Sequence, residues 1–416
     1  MGEFVEGVLG DVIELKRGYD LPRQDRIAGT IPIVSSSGIT GHHSTPMVKG
    51  PGVVTGRYGT LGEVYFVAED FWPLNTTLYV RDFKKNDPRF ISYFLRSLDF
   101  YAYSDKAAVP GLNRNHLHTA PVKYPVDLEE QRTIASTLGG LDDKIDLNRR
   151  TNETLEVMAR AIFKDWFVDF GPTRAKMEGR APYLSPDIWA LFPGRLDGEG
   201  KPEGWKWALL GQHAAITKGK SYKSEELQEA QSALVTLKSF ARGGGYRRDG
   251  LKSFSGECKP DQVVQEGEIV VAQTDVTQAA DVIGRPARVI SDARFERLIA
   301  SLDVAVIRPL ASTYLDNEFL LRLMGTEKFT QHTFAHTSGT TVLHLGKNAI
   351  PSFEFILPSA RLVEAYFEIA SPLAARQIRA VHEIDTLATA RDLLLPKLMS
   401  GEIRVMDAET SVSEAS

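Results

Sequence analysis

Cysteine is almost absent: Cys258 is the single one in 416 residues. That excludes an internal disulfide framework and any multi-thiolate zinc site. Long apolar runs are missing as well, and none approaches the roughly 18 residues that span a bilayer. The opening MGEFVEGVLGDVIELKRG lacks a basic start followed by an apolar stretch, and Glu6 stands where a myristoylation pattern has Ser or Thr. A cytoplasmic location is the expectation. Positive charge is not in excess either. Lys and Arg number 49 against 54 Asp and Glu, a net charge of −5, so any contact with a polyanion must be local. What is there is globular in proportion, 43% hydrophobic and 25% charged. At about 150 residues per domain the length predicts two or three units, each with its own core.

The chain repeats itself. Leu9-Gly10 is matched by Leu210-Gly211 and Arg17-Gly18 by Lys218-Gly219, all at an offset of 201. Further on, GPGVVTG from Gly50 to Gly56 resembles GEIVVAQ from Gly267 to Gln273, and DPRFISYFLRS from Asp87 resembles DNEFLLRLMGT from Asp316. Each half then reaches a proline, Pro125 or Pro358, before a long helical stretch, and Thr154-Leu155 pairs with Thr386-Leu387. The order of these matches is kept, so the chain reads as a duplication. Each half is a mixed α/β unit followed by one long helix. In the first, VVTG, GEVYFVA and TTLYVRDF are short β-rich runs bounded by turn residues; ALVTLKSF, EIVVAQT and LDVAVIRP are their equals in the second.

The first helix opens at Asp127, an N-cap with Glu130 three residues on, and meets no proline from Glu129 to Phe170. Ile134, Leu138, Leu141, Ile145, Asn148, Asn152, Leu155, Ala159, Ile162 and Trp166 form a coiled-coil seam. The second helix repeats it with Val363, Phe367, Ala370, Ala374, Gln377, Val381, Ile384, Ala388, Arg391, Leu395 and Leu398. Pro372 and Pro396 are expected to kink or fray this helix, and Gly139-Gly140 to weaken the first. Two seams in one chain pack most economically on each other; the plainer alternative is that the helices only cover the cores. The expected organisation is a first domain over 1–125, a helix over 126–170, a Pro- and Gly-rich connector over 171–204, a second domain over 205–357, a helix over 358–400 and a tail over 401–416.

Enzyme motifs are not found. Gly219-Lys220-Ser221 resembles the end of a phosphate loop, but Ala214 stands where the earlier glycine belongs. Gly56, Gly59 and Gly62 lack dinucleotide-binding spacing and suit a tight turn. His332 and His336 sit four apart with Thr333 where a zinc protease has Glu. There is no GxSxG elbow, no amino-methyltransferase tetrapeptide and no EF-hand. No catalytic residue and no metal ligand is assigned.

Charge is segregated. Residues 1–125 hold 14 Lys/Arg and 13 Asp/Glu, and residues 205–357 hold 18 and 17, which leaves 17 and 24 for the helices, connector and tail. Acidity belongs to the spacer elements, so both α/β units can turn a basic face to a polyanion. Basic, aromatic and amide residues gather in Gly- and Ser-rich loops. In the first unit these are Lys16, Arg17, Ser36, His42, His43, Arg57, Tyr58 and Arg114. In the second they are Lys218, Lys220, Tyr222, Arg242, Tyr246, Arg247, Gln273, Thr274 and Lys347. Such residues suit DNA: Lys and Arg reach phosphates, Arg forks onto guanine, and Asn or Gln onto adenine. Each has a plainer reading, since Arg57 could serve a structural ion pair and His42-His43 could be ordinary surface.

LEEQRTIASTLGGLDDKIDLNRRTNETLEVMARAIFKDWFVDF, the later FPGRLDGEGKPEGW, the closing LLLPKLMSGEIRV, and the strings VPGLNRNHL and HTSGTTVLHL together resemble the specificity subunit of type I restriction-modification systems, over about residues 5–405. Pro372, early in the second helix, departs from that pattern. The resemblance implies a non-catalytic adaptor. It has two target-recognition domains, each followed by a long helix, with the helices packed as an antiparallel coiled coil in pseudo-two-fold symmetry. Each domain would read one half of a split DNA target while the helices set the spacing. Two methyltransferase subunits would bring S-adenosylmethionine and methylate adenine N6; motor-nuclease subunits, with ATP and Mg, would join for cleavage. Two other classes remain in view: an enzyme acting on DNA through an unrecognised site, and a coiled-coil scaffold that reads no sequence.

Overall fold

The computed structural model describes residues 4–104, 111–277 and 279–405. Val109 and Pro110 of the VPGLNRNHL string, and the tail beyond Val405, lie outside the described residues. The chain forms two compact units, Met1–Arg150 with Val381–Ser416, and Thr151–Ala380. These divisions fall inside the long helices rather than at their ends, because each helix packs against both lobes' cores in turn.

In the first unit β1 (Phe4–Val8) leads into a single helical turn, α1 (Leu9–Val12), and then β2 (Glu14–Arg17). β3 (Ile31–Ser35), β4 (Gly38–His43), β5 (Gly52–Gly56), β6 (Val64–Val67), β7 (Trp72–Pro73) and β8 (Thr77–Asp82) follow. A four-stranded sheet runs in the order β2-β8-β5-β6 and a three-stranded one in the order β4-β3-β7. Helix α2 (Pro88–Arg96) starts where the Asp87 carboxylate accepts the Phe90 N–H at 2.9 Å, with Pro88 in the first turn, where its missing N–H costs nothing. After α3 (Arg114–Leu117), β9 (Pro121–Pro125) pairs antiparallel with β1 and closes the lobe. Leu9, Phe90, Ile91, Phe94 and Leu95 are buried in its core.

Helix α4 (Leu128–Phe163) begins at Asp127, whose carboxylate accepts the Glu129 N–H at 3.0 Å. Gly139 and Gly140 do not interrupt it. It passes into a π-helical turn over Lys164–Val168 and ends at Phe170, which is left-handed with φ 55°. The connector is folded rather than free. It carries α5 (Gly171–Met177) and α6 (Pro186–Ala190), and its Ala175 and Phe192 are buried.

The second lobe comprises β10 (Lys206–Leu209), β11 (Ala214–Lys218), β12 (Ser232–Val235), β13 (Lys252–Ser253), β14 (Val263–Val264), β15 (Ile269–Ala272), β16 (Thr274–Asp275), β17 (Pro286–Arg288), β18 (Arg297–Ala300) and β19 (Val304–Pro309). Helices α7 (Asn317–Met324) and α8 (Glu327–Ala335) precede β20 (Thr337–Ser338), β21 (Leu343–Leu345) and β22 (Glu354–Leu357). Its main sheet, in the order β11-β19-β15-β17, has the connectivity of β2-β8-β5-β6, and the β10–β22 pair answers β1–β9. Asp316 caps α7 through the Phe319 N–H at 2.8 Å, as Asp87 caps α2. The duplication therefore extends to topology.

Hydrogen bonds align the halves residue by residue. Gly18 N–H reaches Thr77 O at 3.1 Å, and Gly219 N–H reaches Val304 O at 3.0 Å. A Cβ on either glycine would sit within 2.2 Å of a carbonyl oxygen, of Leu74 or Ser301, so only glycine fits. The pairings Gly56–Thr77 and Ala272–Val304 then correct one expectation: Gly56 corresponds to Ala272, not to Gln273.

Helix α9 (Ala360–Ser400) continues through Pro372 and Pro396, which are both exposed, so neither proline frays it. In the first unit α4 and α9 run antiparallel, joined by Asp142–Arg391 at 2.7 Å and Lys144–Glu383 at 3.3 Å. In the second, Gln377 donates to Asn152 O at 3.2 Å. Ile134, Leu138, Leu141, Ile145 and Leu398 are buried, and Leu395 packs beside them. Val381 and Ile384 are half-buried.

The seam departs from expectation near its far end. Phe367 is 38% exposed and its place is taken by Tyr366. Leu155 and Ile162 are half-buried, while Phe163 and Trp166 are buried. The cause is the second lobe, whose Phe319 lies 5.2 Å from Phe163 and 5.1 Å from Phe167, ring centre to ring centre, and draws these faces toward its own core. The helices thus serve both roles, packing on each other and closing the lobes.

Candidate nucleic-acid interface

Strand β2 alternates, and the alternation decides where its two cations go. Lys16 lies half-buried, its ammonium 3.3 Å from the Tyr19 hydroxyl. That hydroxyl in turn meets the Tyr79 hydroxyl at 3.0 Å. Arg17, on the opposite face, is exposed. Its side chain lines a cleft of about 320 Å³ together with Arg57, Tyr58, Leu78, Leu112 and Arg114. Arg57 leaves the end of β5 fixed at both backbone atoms, its N–H on Thr76 O and its carbonyl accepting the Leu112 N–H, each at 2.9 Å. The guanidinium stacks 4.7 Å above the Tyr58 ring. Gly56 permits the turn, since a Cβ there would meet Thr60 O at 2.1 Å, and Ser36 lies against the same turn. Among the described residues, no ion pair engages Arg17, Arg57 or Arg114.

Three guanidinium groups without carboxylates, beside an exposed aromatic ring, make a site for an anion with planar groups to recognise. The second lobe repeats the frame. Gln273 N–H reaches Asp303 O at 2.7 Å and its carbonyl accepts the Leu345 N–H at 2.8 Å, the same two bonds that hold Arg57. Counting from these bonds and from the β11–β19 register, Arg17 corresponds to Lys218, Arg57 to Gln273, and Arg114 to Lys347. Lys218 and Lys347 are exposed and Gln273 is half-buried.

Comparison with known proteins agrees with this geometry. Residues 1–157 match the type I restriction modification DNA specificity domain. The chain is 24% identical, over 308 residues, to the type I restriction enzyme MjaIX specificity subunit of Methanocaldococcus jannaschii, an alignment covering 73% of this chain and 65% of that subunit. It is 25% identical, over 342 residues, to the HindI specificity subunit of Haemophilus influenzae, covering 73% of each. This chain is therefore similar to the specificity subunits of type I restriction enzymes. Its fold is that of the S subunit from M. genitalium, with a TM-score of 0.58, 15% identity and 96% of both chains covered.

The remaining candidate residues are scattered. His42 is exposed on β4, but His43 is 4% exposed; its Nδ1 accepts the Ile27 N–H at 3.0 Å and its ring stands edge-on to Trp72, so it is a packing residue. Thr274 is likewise buried, its hydroxyl 2.9 Å from the Asp303 carboxylate. Tyr246 packs in the second lobe's sheet core, and burial pushes its hydroxyl pKa well above the usual range. These three are corrections: each sits in a polar stretch, yet tertiary packing turns its side chain inward. Tyr222 is half-buried against Leu234, Phe254 and Ile299. Lys220 lies 3.9 Å from Glu226, Arg242 3.7 Å from Asp281, and Arg247 is paired with Asp249, so their charge is locally opposed. Gly243, Gly244 and Gly245 between them all have positive φ. Leu78 and Leu112, apolar residues lining the first cleft, were not anticipated; the buried run Thr77–Val80 of β8 was the available signal for Leu78. Among the described residues, no helix is long and apolar enough to cross a membrane, and no cluster of His, Cys, Asp or Glu is placed to hold a metal.

Proposed function

We propose that this chain reads a split, gapped DNA target, one half-site through the Arg17–Arg57–Arg114 cleft and the other through Lys218, Gln273 and Lys347, and carries no active site of its own. The observation that supports this reading most directly is the unpaired arginine cleft within the matched DNA specificity domain. Each lobe makes few base contacts, and tethering two of them on one chain makes the second engagement intramolecular, which multiplies affinity. Adenine-N6 methylation then falls to two partner methyltransferase subunits with S-adenosylmethionine, and cleavage to motor-nuclease subunits with ATP and Mg, in the cytoplasm. The test is single-molecule methylome sequencing of a host expressing the chain with the methyltransferase subunit of its own system. A gapped motif carrying methyladenine is expected. Methylation without a motif would favour a scaffold that reads nothing, and methylation or cutting by the purified chain alone would reveal an enzyme.

A further inference from the structure

Aligned through their shared backbone hydrogen bonds, the two frames differ in charge only at their central position. The flanking positions are cationic in both lobes, Arg17 and Arg114 in one, Lys218 and Lys347 in the other. The central position is Arg57 in the first and Gln273 in the second, each anchored through the same two backbone hydrogen bonds. Flanking cations of either type hold phosphates and carry little sequence information, whereas a central side chain on a fixed backbone is what distinguishes bases. Arg57 is presented by the Tyr58 ring, which keeps its fork extended. No side-chain hydrogen bond engages the Gln273 amide among the described residues, while the neighbouring Thr274 hydroxyl is turned to Asp303.

We infer that Arg57 and Gln273 are counterpart base-reading residues, Arg57 for a guanine in one half-site and Gln273 for an adenine in the other. The guanidinium donates two hydrogen bonds to guanine O6 and N7, while the carboxamide accepts from adenine N6–H and donates to N7. This rests on the DNA-reading function proposed above and adds to it which base each lobe selects at its centre.

The test incubates the purified full-length chain with randomised duplex DNA and sequences the bound fraction. Arg57→Gln is expected to change one guanine to adenine in one half of the motif only. Gln273→Arg is expected to make the reverse change in the other half only. Each swap should move the preference at that base by about tenfold to a hundredfold, the worth of one good two-pronged contact. Two conservative variants guard against misfolding. Arg57→Lys keeps the charge but loses the fork, so binding persists with a weakened guanine preference; Gln273→Glu keeps the size and moves the preference toward cytosine, whose N4 donates. A wild-type motif that survives all four substitutions unaltered overturns the base assignments while leaving DNA reading intact. Absence of any wild-type motif overturns DNA reading itself.

Discussion

In the first unit the residue tying lobe to helices is Asp142, which accepts from Tyr93 at 2.7 Å, Arg96 at 2.9 Å and Arg391 at 2.7 Å, with its side chain 22% exposed. In the second it is Glu156, 32% exposed, which accepts from Arg322 at 2.5 Å, Arg160 at 2.6 Å and Gln377 at 3.3 Å; the Arg322 side chain is only 4% exposed. Burial by itself would push both carboxyls up; the neighbouring hydrogen bonds and guanidinium charges outweigh it and pull both down, Glu156 to about 2. One topology is therefore fastened in two ways, by a network whose cations are half-exposed and by one built on a buried cation, Arg322. Removing the acceptor from the buried cation leaves the more costly remnant.

The sharpest way to break this comparison is Glu156→Ala, which strands the buried Arg322 guanidinium and should destabilise the protein by about 3 kcal/mol. Asp142→Ala frees only the half-exposed Arg96 and Arg391 and should cost about 1 kcal/mol. Urea unfolding of the full chain measures both, and equal losses would erase the distinction.

Acid should act next most strongly. The folded-state Glu156 carboxyl lies near 2, below its ordinary 4.5, so its contribution is complete above about pH 4.5 and disappears as pH falls toward 2. Glu156→Gln is expected to flatten that limb of a thermal-melt-against-pH curve; an unaltered limb would place the acid sensitivity elsewhere. The caps offer a matched pair. Asp87→Ala and Asp316→Ala should each cost about 1 kcal/mol, since each removes one side-chain acceptor from an equivalent helix start. The smallest effect distinguishes a flanking cation from a central reader. Arg17→Ala should lower the slope of log affinity for duplex DNA against log salt by about 1, while Gln273→Ala should leave it unchanged. Equal slopes would deny that the flank holds a phosphate and the centre does not.

Much of the architecture was legible because it depends on local pattern. Asp87 and Asp316 announce their helices through the side-chain acceptor that a first turn requires, and the buried Ile134, Leu138, Leu141 and Ile145 follow from helical spacing. The site was legible only in part. Arg17, Arg57, Tyr58 and Arg114 lie far apart in the chain and meet in one cleft, but His43 and Tyr246 are equally polar in context and point inward. The repeat was visible at Gly18 and Gly219, where only glycine fits beneath a carbonyl, yet it slipped by one residue at Gly56 because VVTG and VVAQ resemble each other in either register.

Composition, periodicity and repetition by themselves determined that this chain has two related α/β lobes and two long helices. Those properties live in residue type and near-neighbour spacing, which a linear string preserves. Only the tertiary structure decided that Gln273 stands where Arg57 does, that Phe367 yields to Tyr366, and that the second long helix continues past both its prolines. Each of these turns on hydrogen bonds and packing between residues remote in sequence, whose partners no local pattern names.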